Sequence, residues 1–324
     1  MPASRSSARP LAVVDLGLLL FLGAVWGGAF LAFRIAAPEV GPVWAAEARV
    51  GLAAIVMVAL FGRRAWAAFR GRLVAIFVTG AAFAAIPFAL IAFAALTLPT
   101  AFGALLNAST PLFTALVAAA VLGQRLSGRV IAGITVGMTA VLVLVGWSPL
   151  PMDPETLLAV GAALGAALSY AVAGTFVRRK LSDVGGVEIA TGQLVTASII
   201  LLPLAIVAGP PGTPSPAGVT ALVTVALVST ALAWPVYFRV LAHTTPTAAS
   251  TVTFIVPAFG TAWGALILGE PIGPELVAGA GMILVSLVLV LGLPIGRPAR
   301  VAASRIARVI ESARSVLAVR GSSA

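Results

Sequence analysis

The sequence predicts an all-α membrane protein: ten transmembrane helices arranged as two inverted five-helix repeats. Three observations lead there: a composition suited to lipid, a strict sorting of basic residues between successive loops, and a weak internal repeat whose halves carry opposite loop charge.

Of the 324 residues, 60% are hydrophobic and 9% charged, where a soluble domain carries about 25% charged residues. So much apolar surface exceeds what a soluble core can bury, whereas lipid solvates it. The 33 glycines suit helices that approach closely in a membrane. The chain has room for about ten segments of roughly 20 residues, the length that crosses a bilayer. There are no cysteines, which excludes disulfides, thiol catalysis and Cys-ligated zinc.

Apolar runs place the spans at Leu11–Phe33, Val43–Phe61, Leu73–Leu96, Thr100–Leu122, Val130–Trp147, Leu157–Val177, Val187–Ala208, Gly218–Leu241, Thr247–Leu268 and Leu276–Leu293. The first run is longer than the 7–15 apolar residues of a signal peptide, so it reads as a retained span. Short connections carry turn formers, among them Pro38 and Gly41, Pro149 to Pro154, and Gly209 to Pro216. Five units result: an N-terminal tail (1–10), a first repeat (11–147), a linker (148–156), a second repeat (157–293) and a basic C-terminal tail (294–324).

With the N-terminus in the cytoplasm, eighteen of the 20 Lys and Arg residues fall in cytoplasmic segments, and only Arg34 and Arg49 fall elsewhere. Outer loops hold Glu39, Asp153, Glu155, Glu270 and Glu275. One missed span would reverse every later loop, so the positive-inside rule fixes both the count and the orientation: both termini cytoplasmic in an inner (plasma) membrane. The net charge of +10 is then an orientation signal and implies no nucleic-acid partner.

A shift of 146 residues aligns Pro111 with Pro257, Phe113 with Phe259, Gly123 with Gly269 and Gln124 with Glu270; a shift of 144 aligns Trp26 with Tyr170 and Arg49 with Gln193. The basic loop Gly123–Arg129 corresponds to the acidic stretch Gly269–Glu275. Five spans per half turn the second half upside down. Halves related by an axis in the membrane plane exchange conformations to give inward-open and outward-open states, which is a transporter signature.

These residues also carry a family resemblance. Trp26-Gly27-Gly28-Ala29-Phe30 with Arg34, and then Ala48-Arg49, resemble the first two spans of the EamA-type branch of the drug/metabolite transporter superfamily. Pro111 to Leu116 with Gly123-Gln124-Arg125-Leu126-Ser127, and Pro257-Ala258-Phe259 with Gly269-Glu270-Pro271, resemble its two end-of-repeat signatures; Gln124 departs from the usual Glu. The resemblance runs from Asp15 to Leu293. It implies an EamA-like ten-span fold and, commonly, export of amino acids, metabolites or drugs. The expected function is secondary transport of such a small molecule by alternating access. The rivals are a lipid or lipid-linked carrier and, outside transport, a membrane-embedded enzyme or sensor.

The chemistry-bearing residues favour transport over catalysis. Lys180 is the single lysine and follows no Gly-rich phosphate loop, which argues against ATP hydrolysis. His243 is the single histidine and lies at a span end. No catalytic site, cofactor or metal is expected. The expected partners are a small-molecule substrate and membrane lipid, with a monomer or a homodimer both open; the small-residue spacings Gly23–Gly27 and Gly133–Gly137 fit internal packing or a dimer.

Prolines inside spans point to a binding site. Pro87, Pro111, Pro203, Pro235 and Pro257 each leave the carbonyl four residues earlier without its helical partner, and in lipid that carbonyl needs another. Pro111 frees Asn107 and Pro257 frees Thr253, at equivalent positions. Asn107, Thr110, Pro111 and Thr114 share one helical face; Ser250, Thr253, Pro257 and Thr261 share another. Each stripe either lines a cavity or bonds a neighbouring helix. Trp26, Tyr170, Trp234 and Tyr237 are candidate apolar walls, while Trp44 and Trp147 read as interfacial-belt residues. Glu47 and Arg49 are candidates for ion coupling or for linking helices, on different faces by their spacing. Glu47 is expected to snorkel to the outer surface, Arg49 to lie deeper. The tail from Arg297 to Arg320 reads as an amphipathic surface helix or a disordered basic tail.

Overall fold

The computed structural model describes residues 13–243 and 252–291. Both terminal tails and the start of the expected ninth span, Ser250 included, lie outside the described residues. Within them the chain forms ten apolar helices: α1 (Val13–Val40), α2 (Pro42–Phe69), α3 (Leu73–Thr97), α4 (Thr100–Leu122), α5 (Gly128–Gly146), α6 (Pro154–Lys180), α7 (Gly186–Ala208), α8 (Pro216–His243), α9 (Val252–Leu268) and α10 (Pro274–Val290). Eight are long and apolar enough to cross a membrane, and α9 and α10 are shorter apolar helices of 17 residues each. At 1.5 Å per residue even these reach about 25 Å. Large apolar side chains cover the outside, with Val207 86% and Val74 79% exposed; such a surface needs lipid against it.

The helices follow local signals. Ser127, Asp153 and Ser215 cap α5, α6 and α8, each side chain accepting from the backbone N–H three residues on. Gly123 and Gly269 end α4 and α9, both at φ 65°, a left-handed conformation that glycine takes without penalty. They occupy equivalent places in the two repeats. The sequence puts Pro38 in a connection, but α1 runs through it to Val40. A proline in a last turn forfeits one hydrogen bond, and buried Ala36, Ala37 and Val40 hold that turn in the core. Gly41, at φ 83°, makes the bend alone.

Packing partners are exchanged between the halves as a two-fold relation requires. Helix α1 lies on α8 and α9, its counterpart α6 lies on α3 and α4, α2 lies on α7, and α5 lies on α10. The architecture is two inverted five-helix repeats. Both small-residue spacings serve internal packing. A Cβ at Gly27 would lie 2.7 Å from the Val256 carbonyl and the Gly260 nitrogen, and Gly133 and Gly137 face Ser286 of α10.

Two π turns interrupt the bundle at equivalent places, Ala81–Ala85 in α3 and Leu227–Leu232 in α8. Each exposes a backbone carbonyl that a side chain from the other half takes up. The Ser169 hydroxyl on α6 donates to the Ala82 carbonyl at 2.7 Å, and the Trp26 indole on α1 donates to the Ser229 carbonyl at 3.1 Å. The wider turn before Pro87 moves the available acceptor to Ala82, five residues back, one position from the sequence expectation.

Clips join the helix ends. Both carboxylate oxygens of Glu270 accept from the Thr100 backbone N–H, at 2.9 and 3.0 Å, and one accepts from its hydroxyl at 3.0 Å. Glu39 accepts from the Ser215 N–H and hydroxyl, both at 2.8 Å. Arg34, one of the two basic residues outside the charge sorting, caps the end of α3 by donating to Ala95 and Leu96 carbonyls. At the opposite, arginine-rich end, an exposed ion pair joins Arg72 to Asp183 at 2.8 Å.

Candidate functional site

The first π turn, through Phe83, and the α4 break border a cavity of about 330 Å³ reached by α1, α2, α3, α4, α6, α8 and α9. All six substrate-site candidates from the sequence, Trp26, Asn107, Tyr170, Trp234, Tyr237 and Thr253, stand in its wall, as does Arg49. Glu47 does not. The wall is built in pairs: Phe88 with Trp234, Ile91 with Tyr237, Asn107 with Thr253, Thr110 with Val256, and Pro111 with Pro257 are each 146 residues apart.

Helix α4 bends at Ala108 and Ser109, between Asn107 and Pro111. The carbonyl of Asn107, freed by Pro111, accepts from the Thr110 hydroxyl at 2.7 Å. The sequence expectation of an open carbonyl there is therefore corrected: a hydroxyl three residues on reaches it as soon as the helix relaxes. What Asn107 offers is its side chain, whose Oδ1 is buried without a hydrogen-bond partner among the described residues. Helix α9 passes through Pro257 unbroken, so the two stripes are equivalent in place and different in shape.

Aromatic rings interlock along the wall. Trp26 stands 5.9 Å from Trp234 and 5.5 Å from Tyr237 between ring centres; Phe83 stands 5.7 Å from Tyr170 and 5.9 Å from Trp234. These tilted and edge-on arrangements suit ring quadrupoles and join both halves. Trp44, read from sequence as a belt residue, is half-buried against the core, with an Nε1 that has no hydrogen-bond partner among the described residues. Trp147 is 60% exposed at the end of α5.

Arg49 is 7% exposed and its guanidinium carbon lies 3.7 Å from the Phe88 ring centre and 5.4 Å from that of Phe33. Its Nε donates to the Thr230 hydroxyl at 3.0 Å, and that hydroxyl donates to the Val225 carbonyl five residues back in the π turn. Arg49 thus links α2 to α8 and faces the cavity too. Glu47 is buried on another face, accepting from the Ser198 hydroxyl on α7 at 2.6 Å. The expectation that it snorkels is corrected: α2 and α7 close over it before its side chain reaches a surface. No metal-binding group of His, Asp or Glu occurs among the described residues.

Sequence reading missed Phe83 and Phe88 in the wall and Thr230 behind it. The 146-residue shift applied to Trp234 points at Phe88, so that signal was available; Phe83 and Thr230 depend on the π turns, which leave no sequence mark.

Comparison with known proteins agrees with this architecture. A solved structure titled "Crystal structure of protein" superposes with a TM-score of 0.62 at 17% identity, over 86% of this chain and 96% of that one, which shows the shared fold. No curated protein matches. The model of the EamA-like transporter family matches twice, over residues 16–146 and 157–292, once per repeat. With two inverted repeats meeting around one cavity, the chain belongs to the EamA-like transporter family of the drug/metabolite transporter superfamily, a multi-pass membrane protein.

Proposed function

We propose that the protein is a secondary transporter that exports a small metabolite, amino acid or drug across the inner membrane by alternating access. Both termini lie in the cytoplasm in this reading, the repeats 11–147 and 157–293 are its moving units, and it works as a monomer or a homodimer. The observation that carries it is the paired wall: one cavity, of a size that holds a small ligand, with equivalent residues of inverted halves facing each other across it. Unequal closure of the two ends supports alternation. At the acidic end Glu39 and Glu270 clip opposite halves together through part-buried bonds; at the basic end the exposed Arg72–Asp183 pair joins them.

Substrate is held beside Asn107 and Thr253, between Trp26, Tyr170, Trp234 and Tyr237. Uptake and efflux of a substrate panel in sealed vesicles identifies a cargo and its direction. For that cargo, Asn107→Leu and Thr253→Val each remove one hydrogen bond of roughly 0.5–1.5 kcal/mol, a two- to tenfold loss of affinity with folding intact. Unchanged transport in both variants overturns the site.

A further inference from the structure

Arg49 is a buried cation without an anion. Its Nε is satisfied by Thr230, and rings of Phe88 and Phe33 stand near its guanidinium. Its terminal nitrogens have no hydrogen bond among the described residues. Glu47, two residues away, is committed to Ser198 on another face. No Asp or Glu stands in the cavity wall. A guanidinium taken out of water without a partner is costly, and its planar nitrogen edge matches a carboxylate.

One further group calls for a donor from the ligand. Asn107 Oδ1 is a buried acceptor with no donor among the described residues. The aromatic wall alone suits a cation, but Phe88 is already taken by Arg49 and nothing in the wall offsets that charge.

We propose that the cavity selects an amphipathic organic anion: a carboxylate on the nitrogen edge of Arg49, a flat apolar body among Trp26, Phe83, Trp234 and Tyr237, and one N–H or O–H of the ligand donated to Asn107. This rests on reading the cavity as the substrate site, and it adds the class of substrate.

Three probes share one apolar body and differ in head group: 3-phenylpropanoate, 3-phenylpropan-1-ol and 3-phenylpropylammonium. Their binding to the purified full chain is read by quenching of tryptophan fluorescence, since Trp26 and Trp234 form part of the wall. The carboxylate is expected to bind at least tenfold tighter than the alcohol, and the ammonium weakest. Arg49→Gln brings the carboxylate down to the level of the alcohol, and Arg49→Lys keeps part of the preference. The ranking on the unaltered protein decides the matter even where a variant fails to fold. Equal binding of all three, weakened together by Asn107→Leu, overturns anion selectivity and leaves the cavity as the site. A carboxylate preference indifferent to both Arg49→Gln and Asn107→Leu overturns the site as well.

Discussion

Glu270→Ala removes a cap supplied from the other half of the chain. Thr100 opens α4 behind Pro99, which offers no side-chain cap, and Thr100 is 2% exposed. Its N–H and hydroxyl both depend on the Glu270 carboxylate, at 2.9 to 3.0 Å. Losing an N-cap costs about 1 kcal/mol, and leaving a buried donor unsatisfied costs about 1–3 kcal/mol. These are two descriptions of largely the same loss, so the expected destabilisation is about 1–3 kcal/mol. Glu270→Gln keeps an acceptor and loses the charge that favours a helix N-terminus, worth about 0.3–1 kcal/mol. Gln124, its counterpart in the first repeat, is exposed, and Gln124→Ala should stay within about 0.5 kcal/mol of the parent. Thermal unfolding of the purified protein, followed by tryptophan fluorescence, should rank the melting temperatures parent and Gln124→Ala above Glu270→Gln above Glu270→Ala. Equal melting of Glu270→Ala and Gln124→Ala would refute the clip.

Three other perturbations separate packing, charge and orientation. Gly27→Ala places a methyl 2.7 Å from the Val256 carbonyl and should cost about 1–3 kcal/mol by overpacking, whereas Gly161→Ala meets nothing within 4 Å and should not lower the melting temperature. Hydrogen bonding and charge from Arg72 hold the Asp183 carboxyl below its usual value, so its contribution is fully present above the unfolded value near 3.9 and is lost as pH falls through the lower folded value; Asp183→Asn should flatten the stability profile on the acid side of about pH 4, and an unchanged acid limb would count against the pair. A reporter active only outside the cytoplasm should give signal at Gly212 and none at Ala324; the reverse would defeat the assigned orientation.

The sequence carries the long-range order of this fold more plainly than its local detail. Loop charge and proline spacing do not depend on which side of a helix faces protein, so the span count and the 146-residue relation were legible. Helix azimuth was not: outward-facing Val207 and core-facing Leu201 are both apolar, and hydrophobic periodicity is silent where both faces shun water. That is why Glu47 reads from sequence as a surface residue although it is buried against Ser198 of α7. Trp26, Asn107 and Tyr170 stood out because polar or bifunctional side chains inside a span must find partners. Phe83, which lacks such a group, gave no such sign. Carbonyls of the π turns accept from Ser169 and Trp26 of the other half, long-range partners that no local propensity names.

The cavity between inverted halves is a transport path only if each side of the membrane reaches it in turn. The absence of cysteine makes Thr253→Cys a unique thiol in the cavity wall. In sealed vesicles of defined orientation, a membrane-impermeant maleimide is applied to one face at a time, with and without a transported member of the panel. Labelling from either face, with substrate slowing it from both, is the expected result. Labelling confined to one face under every condition would contradict alternating access through this cavity.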